Sequence, residues 1–182
     1  MGDGSVYTNK KTQFTRMCIS EAILELMQHM ELKEIKISAV VKRAGVARMT
    51  FYNYYDSIYS ALTDYLQIVI SEYLEECAQN PNAGAFLDYS HILFSLKFFD
   101  RYKNYFLTLS RQKLHSIMLD SINQFMIQYY SSRLSHSVYE MYCYSGGLLN
   151  AFLKWEENGQ KEAAADVAAV IYDLYHSRMG EN

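Results

Sequence analysis

The sequence predicts an all-α protein of about nine helices, and three observations carry that prediction. Apolar residues recur at helical spacing along most of the chain, and no run alternates with the period of a strand. One proline and eight glycines are all the strong helix breakers in 182 residues. A helix–turn–helix pattern stands near the start, over residues 37–55.

That stretch reads ISAVVKRAGVARMTFYNYY. Ser38 is the expected N-cap of a first short helix running through Ala44. Gly45 stands where a helix end needs a residue that tolerates positive φ. Val46 and Ala47 restart the chain into a second helix. Val40, Val41, Ala44, Val46 and Phe51 form an apolar seam that locks the two helices together. Arg48, Thr50, Tyr52, Asn53 and Tyr54 are then free to point outward. Arg and Asn suit bidentate contacts with guanine and adenine, and the hydroxyls suit phosphate oxygens. The spacing alone fits a plain helical hairpin equally well.

The residues Ile37, Val40, Ala44-Gly45-Val46-Ala47 and Thr50-Phe51-Tyr52-Asn53-Tyr54-Tyr55, with a helix on either side, resemble the DNA-binding domain of the TetR family of transcriptional regulators. The family pattern is a Gly-Val-Ser/Ala turn, then Thr-Phe-Tyr, a variable residue, His or Tyr, and an aromatic. This chain departs from it at three positions. Ala39 replaces a usual acid, and Met49 stands where a small residue or Pro is common. Ile58 replaces a Lys that often touches phosphate. The resemblance implies an N-terminal three-helix helix-turn-helix DNA-binding domain, placed at 1–56. A C-terminal helical effector-binding and dimerisation domain follows at 57–182. Lys36, Ser38, Ala47, Arg48, Met49, Thr50, Tyr52, Asn53 and Tyr54 are the residues expected to meet a palindromic double-stranded operator.

Composition bounds the rest. No apolar run is long enough to span a bilayer, and the start carries neither a secretory nor a myristoylation pattern, so the expectation is a cytoplasmic protein. Cys18, Cys77 and Cys143 are odd in number and widely spaced, which suits small hydrophobes of the core better than a disulfide framework or a zinc site. The net charge is −3. Residues 1–56 carry +2 and the remainder −5, which suits a DNA reader joined to a part that leaves DNA alone.

In chain order, Lys10-Lys11-Thr12 either reaches phosphate or is simply a solvated basic start. An amphipathic helix is predicted from Thr12 to His29 or Met30, with Phe14, Cys18, Ala22, Leu26, Ile19, Ile23 and Met27 inward. A long helix from Asp56-Ser57 to Ala78 or Gln79 carries Leu62, Leu66, Val69 and Tyr73 on one stripe. Asn80-Pro81-Asn82-Ala83-Gly84 is the strongest turn signal. Helices then follow over 85–99, 100–110 and 112–132, the last with Leu114, Met118, Ile122, Phe125 and Tyr129 on one face.

The final two helices, predicted over 137–157 and 161–179, carry more apolar surface than one subunit needs. The first holds Gly146-Gly147 mid-helix, where glycine costs about 1 kcal/mol each against alanine and so signals a close approach. The second shows two apolar stripes: Ala163, Val167, Val170, Leu174 and Ala164, Ala168, Ile171, Tyr175. A homodimer is therefore expected through Gly146, Leu149, Leu153, Val167, Val170 and Leu174. The block Gly146-Gly147-Leu148, Trp155 and Asn158-Gly159 also resembles the final helices of a Gram-positive branch of TetR-like regulators, a family whose members dimerise through their last two helices.

The resemblance implies an effector cavity among the middle helices. With 17 Tyr, 9 Phe and 9 Met, the chain suits a small hydrophobic or aromatic effector, although aromatic stripes also make plain core. Tyr89, Phe94, Phe98, Tyr105, Met118, Phe125 and Tyr142 are the candidate liners. His91, His115, His136 and His176 lack ligand-spaced partners, so no metal is expected. No nucleophile–base pair, carboxylate pair or cofactor motif points to an enzyme, and no cofactor is expected. The expected function is a sequence-specific regulator, a repressor released by a small molecule. The alternative is a regulator or activator controlled by a protein partner.

Overall fold

The computed structural model describes residues 10–130 and 137–176. Among the described residues there are nine α-helices and no strand. They are α1 (Lys10–Met27), α2 (Ile37–Ala44), α3 (Arg48–Tyr54), α4 (Ile58–Gln79), α5 (Tyr89–Asp100), α6 (Lys103–Arg111), α7 (His115–Tyr130), α8 (Val138–Glu157) and α9 (Ala164–His176). A 3₁₀ turn, Leu32–Glu34, joins α1 to α2. The chain forms two compact units, one ending at Ile68 and the other beginning at Val69. The division falls inside α4, which has 22 residues.

In the first unit α1 packs on α2 and buries Ile19, Ala22, Ile23, Leu24 and Met27. Each of the isoleucine, leucine and methionine side chains stabilises by about 1.5–3 kcal/mol relative to exposure. Phe14, expected inward, is 69% exposed. It lies in the second turn of α1, ahead of the buried run that begins at Ile19. Ser20 is fully buried, and its hydroxyl donates to the Ala61 carbonyl at 3.0 Å, fastening α1 to α4.

The helix-turn-helix forms where the sequence places it, with one correction. Lys36 is the N-cap of α2, in extended conformation and without a side-chain cap. Ser38 falls inside the first turn and is exposed, because the helix already begins at Ile37. Gly45 adopts φ +67°, and its N–H returns to the Val41 carbonyl. The helix can close and turn there because no Cβ opposes the left-handed conformation.

In the second unit α5 packs on α9, α7 on α8, and α6 against both α7 and α8. Ile92, Leu96, Phe98, Tyr105, Phe106, Leu109, Met118 and Phe152 are buried. Phe106 meets Phe152 edge-on at 5.1 Å between centroids. The α5 helix begins at Tyr89 and not at Ala85. Asp88 and Ala85 instead exchange two hydrogen bonds that make residues 85–88 a turn. α8 is capped as a box: Ser137 Oγ accepts from the Glu140 N–H, and Glu140 accepts from the Ser137 N–H. The predicted ends at 131–132 and 177–179 lie outside the described residues.

The paired glycines of α8 behave differently from each other. A Cβ on Gly147 would lie 2.9 Å from the Tyr175 hydroxyl, which donates to the Cys143 carbonyl at 3.1 Å. Gly147 therefore lets α9 reach the backbone of α8. A Cβ on Gly146 would meet nothing within 4 Å among the described residues. The two stripes of α9 also divide. Ala168 and Ile171 are buried, whereas Val170 is 70% and Leu174 59% exposed. No described helix is long and apolar enough to cross a membrane. The three cysteines are not core: Cys18 and Cys77 are half-buried and Cys143 is exposed.

Candidate nucleic-acid interface and ligand cavity

The outward face of α3 is built by one buried anchor. Phe51 is wholly buried, and Tyr55 just beyond the helix is buried too. With that side fixed, Ala47, Arg48, Met49, Tyr52, Asn53 and Tyr54 are exposed and Thr50 is half-buried. Lys36 and Ser38, at the start of α2, are exposed as well. Tyr52 packs edge-on against Phe51 at 5.7 Å. The Arg48 guanidinium lies 5.6 Å from the Tyr52 ring and donates to its hydroxyl at 3.3 Å. The pair thus presents a cation and a hydroxyl together, a combination suited to a phosphate oxygen or a base edge.

The end of α3 is held by a polar network that the sequence reading missed. The Tyr55 hydroxyl donates to Asp64 Oδ2 at 2.6 Å. Arg16 grips the same carboxylate bidentately, with Nε donating to Oδ2 at 2.8 Å and Nη2 to Oδ1. The Asp64 hydrogen bond raises the Arg16 pKa, and burial followed by the Asp64 contact pushes the Tyr55 phenol well above its ordinary value. Both groups therefore keep their donor protons near neutrality. The signal that could have found the network was an acid, Asp64, set between the core positions Leu62 and Leu66.

In the second unit an apolar cavity of about 60 Å³ lies among α4, α5, α6, α7 and α8. Its wall includes Ile70, Tyr73, Phe86, His91, Ser95, Leu96, Phe99, Phe106, Ile122, Phe125, Met126, Tyr144, Ser145, Leu148, Leu149 and Phe152, with no Lys, Arg, Asp or Glu. Such a void holds a few waters, and it is smaller than the roughly 150 Å³ that admits benzene. Of the seven candidate liners, Phe125 is in the wall. Phe98, Tyr105 and Met118 are buried in packing elsewhere, and Phe94 is half-buried against Tyr73 and Phe98. Tyr89 and Tyr142 are exposed, and Tyr89 donates to the Ala165 carbonyl at 3.4 Å. Leu149, one of the expected dimer residues, is in the wall, and both it and Leu153 are buried within the subunit.

The polar side of the cavity is a chain of three groups. The Tyr73 hydroxyl meets His91 Nε2 at 2.9 Å and Ser95 Oγ at 2.8 Å, and Ser95 Oγ donates to the His91 carbonyl at 2.8 Å. Burial pushes His91 below the ordinary histidine range, against weaker opposing effects of the Ala83 and Gly84 carbonyls and Asp88. The cavity is therefore uncharged near neutrality and favours an uncharged occupant. Among the described residues no group of three His, Cys, Asp or Glu side chains can hold a metal ion. Sequence reasoning passed over His91 and Ser95 because histidine was weighed only as a metal ligand.

No protein-family model matches the chain, and no curated protein sequence matches it. Solved structures do match in fold. The transcriptional regulator FadR from Bacillus subtilis, solved with stearoyl-CoA, superposes with a TM-score of 0.57 at 17% identity, over 87% of this chain and 96% of that one. The dihydroxyacetone kinase operon activator DhaS gives 0.55 at 18% identity, over 90% and 95%. A TetR transcriptional regulator from Rhodococcus sp. RHA1 gives 0.52 at 15%, over 91% and 97%. The fold is that of TetR-like regulators.

The titration of His91 has a measurable consequence. Above pH 6.5, the ordinary histidine value, folded and unfolded chains both hold it neutral. Below that value the unfolded chain takes up a proton that the folded chain refuses, so stability is lost as the pH falls. Urea unfolding on either side of that value should show this loss. A His91→Gln variant should show a flatter pH dependence, whatever its absolute stability.

Proposed function

We propose that this chain is a sequence-specific DNA-binding transcriptional regulator of the TetR family, not an enzyme, that acts as a homodimer. The observation that carries the reading is α3: a short helix set by a glycine turn, anchored by Phe51, with Arg48, Met49, Tyr52, Asn53 and Tyr54 turned to solvent. In this reading residues 1–56 are the DNA-binding domain, with Lys36, Ser38, Ala47 and Thr50 completing the contact surface. Residues 57–182 bind the effector and the second subunit. α3 enters the major groove, and the two copies in a dimer read half-sites about 34–36 Å apart on a palindromic operator.

Dimerisation uses the outward stripe of α9, the exposed Val170 and Leu174 beside the half-buried Val167, with Gly146 offering close approach on α8. Leu149 and Leu153 support that face from behind. The regulator is a repressor, and a small uncharged effector releases it. The cavity is smaller than a benzene-sized void, so an effector of that size must move its walls, which include Ile70 and Tyr73 of α4. That displacement supplies the differential affinity for two states on which release depends. The small volume is also the observation that favours a second reading, in which a protein partner replaces the small molecule.

The test is binding of the purified protein to fragments of its own genome over a salt series. One palindromic fragment should be retained, with affinity falling as salt rises. Tyr52→Ala should weaken retention by about three- to tenfold through a lost hydrogen bond. No selective retention even at low salt overturns the reading. Small uncharged compounds added to the retained complex should include one that releases it. Failure of all of them, with release by a co-purifying protein, decides for the second reading.

Oligomeric state tests the interface separately. By sedimentation the protein should be a dimer at micromolar concentration, and Val170→Glu should leave a folded monomer. A wild-type monomer, or a variant that stays dimeric, contradicts this interface.

A further inference from the structure

The ridge of α3 farthest from the protein is defined by its own geometry. Successive residues on a helix advance by about 100°, so the side opposite the buried Phe51 carries Met49 and Asn53, one turn apart. Met49 is 69% exposed, against 44% for Tyr52 and 38% for Tyr54. It is the most exposed large apolar residue of α3, and it stands on the leading ridge. Arg48 and Tyr52 are already engaged with each other to one side.

An apolar side chain on the leading ridge gains when its partner there is apolar. In the major groove the apolar group on a base edge is the C5-methyl of thymine. Methionine is flexible and polarizable enough to cover it. Asn53, on the same ridge, has the donor and acceptor that match adenine N6 and N7. Four residues of helix rise about 6 Å, which spans roughly two base-pair steps when the helix follows the groove.

We propose that Met49 and Asn53 are the specificity-determining pair of α3, with Met49 covering a thymine methyl and Asn53 reading an adenine about two base pairs away. The proposal rests on the DNA-binding reading above. Met49 is also one of the positions at which the chain departs from the TetR family pattern, so the preference belongs to this chain's own side chain.

The experiment uses the full-length protein and the retained fragment. Each thymine of the half-site is replaced in turn by deoxyuridine, which removes only the C5-methyl. At one position the swap should weaken wild-type binding about fourfold, the value of one buried methyl. Met49→Ala should bind less tightly and be indifferent to that swap. Asn53→Ala should lose about tenfold or more in its preference for one adenine over the other bases. Both side chains are exposed, and unchanged thermal unfolding of the variants confirms that the fold is intact. Retention of a fragment with no sensitivity to any methyl, or methyl sensitivity that survives in Met49→Ala, overturns the Met49 assignment and leaves the DNA-binding reading standing. Absence of any retained fragment overturns both.

Discussion

The grip of Arg16 on Asp64, shared by the Tyr55 hydroxyl, is the interaction on which the first unit depends. It joins α1, α4 and the residue that closes α3 through one carboxylate. Both charged side chains are about one-fifth exposed, so the pair escapes the full desolvation cost of a buried ion pair. Removing Asp64 takes from Arg16 and Tyr55 the acceptor they share in a half-buried site, which is where hydrogen bonds matter most. The helix that presents Arg48, Met49 and Asn53 is only seven residues long. Such a helix has little stability of its own and takes its position from what anchors its ends. Gly45 sets one end by its left-handed turn, and Phe51 with Tyr55 sets the other.

The second unit solves a different problem. Its helices bury many aromatic side chains, yet they enclose an uncharged cavity with one ordered polar chain, Tyr73, His91 and Ser95. Tight packing around a small void makes a wall that resists gradual deformation. A ligand larger than the void selects a rearranged wall or does not enter. Among the described residues, Val170 and Leu174 of α9 stay exposed and nothing packs over Gly146.

Much of this fold was legible because it rests on local rules. Gly45 could be placed from the need for positive φ, and Ser137 with Glu140 forms a capping box readable as a spacing. Helix starts were missed where side-chain turns compete with helix, as at Asp88, whose carboxylate holds the Ala85 N–H. The exposed residues of α3 followed from the alternation of buried Phe51 with its outward neighbours. The Arg16–Asp64–Tyr55 network was missed because periodicity assigns a charged residue on an amphipathic helix to solvent, although Asp64 stands between the core positions Leu62 and Leu66. Its partner lies 48 residues away. The cavity was legible as a composition and not as positions. Which aromatics face a void and which face each other depends on helix rotation. Phe125 lines the void while stacking on Tyr129, whereas Phe98 packs among Tyr73, Phe94, Phe99 and Tyr102.

Asp64 ties the closing residue of α3 to the core of its unit. A double-mutant cycle on Tyr55→Phe and Asp64→Asn, read by chemical denaturation, tests it most directly. The two changes should be strongly non-additive, with a coupling of about 1 kcal/mol or more. Additivity within about 0.3–0.5 kcal/mol would mean that the hydroxyl and the carboxylate act independently, and the anchor proposed for the recognition helix would be wrong.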